Sequence, residues 1–404
     1  MDIILTRTIG LLGVAIFVAI IARRLRLPYT VGLVITGIGL AVARLQTGAM
    51  LTHDFIFDLI LPPLLFEAAL SMHWKELRRD MLPILTLSTL GVLISAGFVA
   101  TGMVYFLNWP LTPALVFSVL IAATDPIAVI AMFKDTGIKG RLRLLVESES
   151  LFNDGVAAVL FALILTWGTN GESIAAGAVT RVLVLMAGGG ILVGLACGRV
   201  AIALAGRTSD YLVETTVTAV AAYGSFLLAE HFHFSGVLAT VAAGLLMGNL
   251  GVLRESEEQV LSSSGRTFVV AFWNFAAFIA NSLVFLLIGL SVANIPFEGL
   301  GATALLSTIG LVLVGRALTV YPLCLLFRHS KWTIPTNEQH ILWWGGLRGA
   351  LALALALALP PNFEHRNEIL IAVFGVVVFS VLVQGLTIPW LLRRLRFLPV
   401  TDSG

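Results

Sequence analysis

Apolar residues fall along the chain in blocks of about 20, long enough for a helix to cross a bilayer, and short polar clusters separate them. The pattern predicts about thirteen spans. They run Ile9 to Ala22, Val31 to Val42, Phe55 to Leu70, Leu82 to Leu107, Pro113 to Phe133, Leu142 to Trp167 and Ile174 to Ala205. They continue as Leu212 to His231, Val237 to Leu250, Phe268 to Ala293, Leu300 to Phe327, Gln339 to Leu359 and Ile369 to Leu392. An open sheet would leave unpaired backbone groups facing lipid, so an all-α bundle is expected. The fifth and twelfth spans are interrupted by Pro and Gly.

Composition agrees: 58% of the 404 residues are hydrophobic and 12% charged, which a soluble globule of this length does not tolerate. The first span has no small-residue cleavage site before a soluble region, and is expected to stay in the mature protein. The basic residues alternate between loops. Arg23, Arg24 and Arg26, then Lys75, Arg78 and Arg79, then Lys134, Lys139, Arg141 and Arg143 fall on one side, as do Arg207, Arg254, Arg266, Arg328, Lys331 and the tail Arg393, Arg394 and Arg396. Arg44, Arg181 and Arg366 are the exceptions. With an odd span count this predicts a multi-pass cell-membrane protein with its amino terminus outside and its carboxyl terminus cytoplasmic. Cys197 and Cys324 lie in apolar stretches and read as packing residues. The histidines read as solvated or packed imidazoles, and Leu253 to Arg266 as a charged cytoplasmic linker.

Thr124-Asp125-Pro126 interrupts the fifth span. Proline removes a helix hydrogen bond and pushes the residue before it out of helical geometry, so the helix should break. Asp125 is then placed to cap a second half-helix at the positive end of its dipole, leaving the Thr124 carbonyl available to a ligand. Gly345-Gly346-Leu347-Arg348-Gly349 interrupts the twelfth span comparably, and Arg348 can neutralise carbonyls exposed at a half-helix end. An anion and a cation at matching interruptions predict inverted repeats, about 9–167 and 212–392, joined by a linker helix at 174–205.

The sixth span carries Glu147 to Gly155 as a polar run in an apolar setting. Ser150 and Asp154, four apart, share one helix face; Glu149 and Asn153 form the neighbouring row. A charge at membrane depth costs several kcal/mol and is read as functional. One row can hold an ion while the other is anchored by Arg316, mid-span in the eleventh segment, because a buried guanidinium requires a carboxylate and a neutral acceptor close by. Glu67 lies near the inner end of the third span. Carboxylate, hydroxyl and carbonyl are hard oxygen ligands that suit a weakly held alkali ion rather than zinc or iron.

At these residues the chain resembles the monovalent cation/proton antiporter superfamily, in its sodium/proton exchanger branch. The matching pieces are LPPLLFEAAL around Glu67, ATDPIAV around Asp125, ESLFNDG around Asp154, HFHFSGVLATVAAGLLMGN from His231, GRALTVYP around Arg316 and GGLRGAL around Arg348. The resemblance implies that Asp154 alternately binds Na⁺ and a proton. Asn153 beside it marks the electroneutral type. It also implies that Glu67, Ser150 and the Thr124 carbonyl join Asp154 around the ion with Asp125 nearby, and that Arg316 braces Glu149 and Asn153. It implies a homodimer in which a core bundle, spans 4–6 and 11–13, carries the ion past a static interface bundle by an elevator-like movement. Asn281-Ser282 stands where animal exchangers carry an acidic pair, which suggests a prokaryotic member.

The expected function is exchange of Na⁺ or Li⁺ for H⁺ across the bilayer, one for one, with no cofactor beyond the transported ions, no nucleic-acid partner and no enzymatic activity. A K⁺/H⁺ antiporter of the same fold is the alternative. A cation channel fits buried carboxylates paired with arginine less well. An intramembrane aspartyl protease using Asp125 and Asp154 leaves Asn153, Arg316 and the second break without a role.

Overall fold

The structure, a computed structural model, describes residues 2–25, 28–43, 52–170, 176–253, 260–292, 295 and 299–397. Every regular element among them is helical. The chain opens with α1 (Asp2–Leu25) and α2 (Tyr29–Val42), separated at Pro28. A π-helical segment, Phe55–Ile60, runs into α3 (Leu61–Leu70), and the short α4 (Trp74–Arg79) follows. One rod, Met81–Leu107, is built from α5 (Met81–Leu85), a π segment at Thr86–Leu90 and α6 (Gly91–Leu107). The fifth span is two pieces, α7 (Leu111–Leu120) and α8 (Ile127–Thr136). Long helices then follow: α9 (Arg141–Asn170), α10 (Ala176–Ala205) and α11 (Tyr211–His231). Next come α12 (Gly236–Met247) with a π turn at Gly248–Val252, α13 (Ser263–Val292) and α14 (Ala302–Leu326). The twelfth span is again two pieces, α15 (Thr336–Trp344) and α16 (Ala350–Leu357). The last is α17 (Arg366–Phe379), a π segment at Ser380–Gln384 and α18 (Gly385–Arg394).

Seven of the described helices are long and apolar enough to cross a membrane by length and composition, and four further apolar helices are shorter. Two helix starts differ clearly from expectation: the first span begins at Asp2 rather than Ile9, and the tenth at Ser263 rather than Phe268. In the tenth, Arg266 therefore belongs to a helix rather than to a linker. The cause there is local. Ser262 Oγ accepts from Gly265 N–H at 3.0 Å, an N-cap, and the fully buried Glu214 accepts from Ser262 N–H at 3.0 Å and from its hydroxyl at 2.9 Å. The middle of the expected charged linker, 254–259, lies outside the described residues.

By its internal contacts the chain separates into two units, 1–53 with 82–153 and 282–404, and 54–81 with 154–281. The divisions fall within α9 and within α13. In the second unit Phe66, Ala222, Ala243, Met247 and Trp273 are among the residues of a buried core, with the Phe66 and Trp273 rings 4.6 Å apart. Polar groups there are paired locally: Trp273 Nε1 donates to Thr218 Oγ1 at 2.8 Å. Pro63 has no N–H to offer the Leu59 carbonyl, and the Tyr223 hydroxyl donates to that carbonyl instead, at 3.0 Å. Asn249 takes the Trp74 N–H at 2.7 Å and gives its amide to Met72 and Leu245 carbonyls, which fixes the end of α3. In the first unit, α6 packs along α14, where the Thr319 hydroxyl reaches the Gly91 carbonyl at 3.3 Å.

Candidate functional site: two broken spans and a polar helix

The site in the first unit is built where the two interrupted spans meet. Between α7 and α8 the backbone leaves the helix over Ala123 to Pro126. Asp125 donates its own N–H to the Leu347 carbonyl in the other interruption, at 2.8 Å. Its carboxylate accepts from Ile127 N–H at 3.0 Å, the first residue of α8, and also from the backbone N–H of Ala350, the first residue of α16. One anion therefore sits at the positive ends of two half-helices. Only glycine fits at 349 beside it, because a Cβ there would lie 1.9 Å from Asp125 Oδ2.

Arg348 is buried and donates from Nη1 to the Ala122 and Ala123 carbonyls at 3.0 and 3.1 Å. It thus serves the carbonyl end of α7 in the other broken span. The carbonyl end of α15 is covered by other side chains. Arg316 Nη2 donates to the Leu342 carbonyl at 3.0 Å, and Gln384 Nε2 to the Trp344 carbonyl at 3.1 Å. Ser380 Oγ accepts from Arg348 N–H at 3.0 Å. Sequence reasoning missed Ser380, Gln384 and the carboxylate contact at Gly349. The available signal was two polar residues, four apart, inside the apolar last span.

The polar run on α9 joins this crossing. Arg316 makes a two-pronged ion pair with Glu149, Nη1 to Oε1 and Nη2 to Oε2, both 2.8 Å. Asn153 donates to Glu149 Oε1 at 3.2 Å and to Thr124 Oγ1 at 2.6 Å, and accepts from Thr124 N–H at 3.2 Å. Arg316 takes its neutral acceptor from the Leu342 carbonyl; Asn153 is linked to it through Glu149. The Ser150 hydroxyl donates to the Thr124 carbonyl. Glu149, Ser150, Asn153, Thr124, Arg316 and Arg348 are all buried. With Asp125 the set holds two carboxylates and two guanidiniums and is formally neutral, which a low-dielectric interior requires.

Asp154 follows Asn153 on α9, half-buried, one turn after Ser150 on the same helix face. Glu67 lies on α3 in the second unit and is also half-buried. Among the described residues, no three His, Cys, Asp or Glu side chains gather as a metal-holding cluster.

Two interrupted spans hydrogen-bonded at their breaks, with a polar helix beside them, define a polytopic α-helical membrane protein of the discontinuous-helix transporter class. The family described as sodium/hydrogen exchanger, transmembrane, matches residues 12–394, and the chain belongs to it. It is 40% identical over 390 residues to the Na(+)/H(+) antiporter ApNhaP of Aphanothece halophytica, covering 95% of this chain and 73% of that protein. It is 35% identical over 400 residues to the Na(+)/H(+) antiporter NhaH of Halobacillus aidingensis, covering 95% and 96%. The fold is similar to the solved structure of the sodium proton antiporter MjNhaP1 from Methanocaldococcus jannaschii at pH 8, with a TM-score of 0.74 and 22% identity over 97% of this chain and 99% of that one.

Proposed function

We propose that the chain exchanges Na⁺ for H⁺ across the cell membrane, one for one, with Asp154 as the group both ions share. The observation that carries this reading is the oxygen-lined break: the Thr124 carbonyl meets the Ser150 hydroxyl, and Ser150 lies one turn before Asp154 on α9. Those are hard donors of the kind that hold an alkali ion weakly. Antiporter relatives covering most of the chain support the same ion pair.

Asp154 binds Na⁺ only when deprotonated, and a proton only after the metal ion has left. Coupling follows from that competition, with no separate proton relay. Either guest neutralises the carboxylate, so a loaded site crosses the membrane, whereas the bare charge is held back by the cost of burying it. The neutral set of Asp125, Glu149, Arg316 and Arg348 then serves as scaffold: it closes the half-helix ends without adding net charge to the moving site. Asn153, next to Asp154 in sequence, completes the surroundings of the ion. Movement of a core bundle within a homodimer, with the carboxyl terminus cytoplasmic, accounts for alternating access.

The test is flux in proteoliposomes with an internal pH dye, titrating Na⁺, Li⁺ and K⁺ with and without a clamped voltage. We expect saturable, voltage-insensitive exchange that reverses with the pH gradient, and its loss in Asp154→Asn with the protein still folded. Wild-type-like exchange by that variant rejects the assignment.

A further inference from the structure

We infer that Ser380 and Gln384 are positioning residues for cation binding, an inference that rests on the exchange reading above. They lie four apart on the π segment of the last span, and are 1% and 3% exposed. Gln384 Nε2 donates to the Trp344 carbonyl where α15 ends. Ser380 Oγ accepts Arg348 N–H at 3.0 Å, just before α16 begins, while its single proton is shared between the Val377 carbonyl of its own helix at 2.9 Å and the Arg348 carbonyl at 3.2 Å. Three residues beyond Gln384, Thr387 Oγ1 accepts from Trp344 Nε1 at 2.8 Å. One polar stripe thus grips both lips of the Gly345 to Gly349 interruption.

The grip matters because this loop carries the contacts between the two breaks; its residues, Gly345 to Gly349, are all buried, and a Cβ at 346 would lie 2.8 Å from Arg316 Nε. A small cavity lies there, lined by Arg316, Gly346, Arg348 and Gln384 among others. Hydrogen bonds from Ser380 and Gln384 add to the packing that fixes the loop's position. Through it they fix two contacts to the other break: Arg348 to the Ala122 and Ala123 carbonyls, and Leu347 O to Asp125 N–H. Thr124, whose carbonyl is a proposed cation ligand, lies between these contacts. Loosening the last span therefore displaces a ligand that neither Ser380 nor Gln384 touches.

The experiment compares Ser380→Ala and Gln384→Met with wild type in proteoliposome Na⁺/H⁺ exchange, normalised to folded transporter by size-exclusion chromatography. Ser380→Ala removes a single oxygen, and Gln384→Met keeps side-chain length while removing the amide. We expect the apparent Na⁺ half-saturation to rise about fivefold in each, the fold-change of one lost neutral hydrogen bond, with maximal rate per folded transporter within about twofold of wild type. A purely structural role lowers the amount of folded protein and leaves half-saturation unchanged, and that result in both variants overturns the inference alone. Absence of Na⁺-driven proton flux in wild type instead refutes the exchange reading on which it rests. For a variant recovered in low yield, Na⁺-dependent thermal stabilisation of the purified protein is the second readout: a rightward shift of its Na⁺ titration supports the inference and an unshifted one overturns it.

Discussion

Removing Arg316 should damage this protein more than removing Arg316 and Glu149 together. Their side chains are 8% and 3% exposed, and the pair is joined by two 2.8 Å bonds. Arg316→Met keeps an apolar stem of similar length and leaves Glu149 with only the Asn153 amide, at 3.2 Å. Breaking one half of a buried pair costs about 3–5 kcal/mol, because the survivor is an uncompensated charge. Glu149→Leu leaves the guanidinium with the Leu342 carbonyl and should cost a similar amount. In Arg316→Met/Glu149→Leu no orphaned charge remains, and the chief residual loss is the Leu342 contact, about 1 kcal/mol. At roughly 2 °C per kcal/mol for a chain of this size, each single variant should melt about 6–10 °C below wild type, and the double variant within about 4 °C of it. The assay is thermal melting followed by size-exclusion chromatography of detergent-solubilised protein, read as a double-mutant cycle. Single variants that melt with wild type, or a double variant whose loss is the sum of the two, would refute the reasoning.

Three further outcomes follow from the same geometry. Gly349→Ala drives a methyl to 1.9 Å from Asp125 Oδ2, so the carboxylate must leave the two half-helix N-termini; the variant should lose about 3 kcal/mol of stability, read as melting about 6 °C below wild type in the same assay. Glu214→Leu removes the acceptor of two bonds from Ser262 and should lower melting by about 1–3 kcal/mol, while the Na⁺ half-saturation stays at the wild-type value in the flux assay. For pH, the sign follows from competition: lowering pH protonates Asp154 and raises the apparent Na⁺ half-saturation, by at most about tenfold per pH unit for one shared site, as flux titrations at several pH values will report.

Much of this architecture is legible in local chemistry. Pro126 has no N–H and disfavours helix before it, which marks a break near Thr124, although proline alone does not enforce one: α14 and α18 run on through Pro322 and Pro389. The glycines at 345, 346 and 349 mark the second break, and the four-residue spacing of Glu149 with Asn153 sorts the polar row of α9. What stays hidden is which distant group answers which orphan. Arg348 reaches carbonyls more than two hundred positions earlier in the chain, and nothing in its neighbourhood names them. Gln384 is masked for the opposite reason: Val381, Leu382 and Val383 make its window read as plain membrane span. The early start of α13 depends on Glu214, a buried carboxylate 48 residues before Ser262, a contact that no helix-capping rule can anticipate.

The central claim is that one carboxylate, at Asp154, serves a metal ion and a proton in turn. Its most direct test is to add Na⁺ to purified protein in weak buffer while recording Na⁺ binding by calorimetry and released protons with a pH dye. The account predicts roughly half a proton released for each Na⁺ bound at the pH where the empty site is half-protonated, rising towards one at lower pH, and neither signal in Asp154→Asn. Na⁺ bound without proton release, or release that persists in that variant, would contradict it.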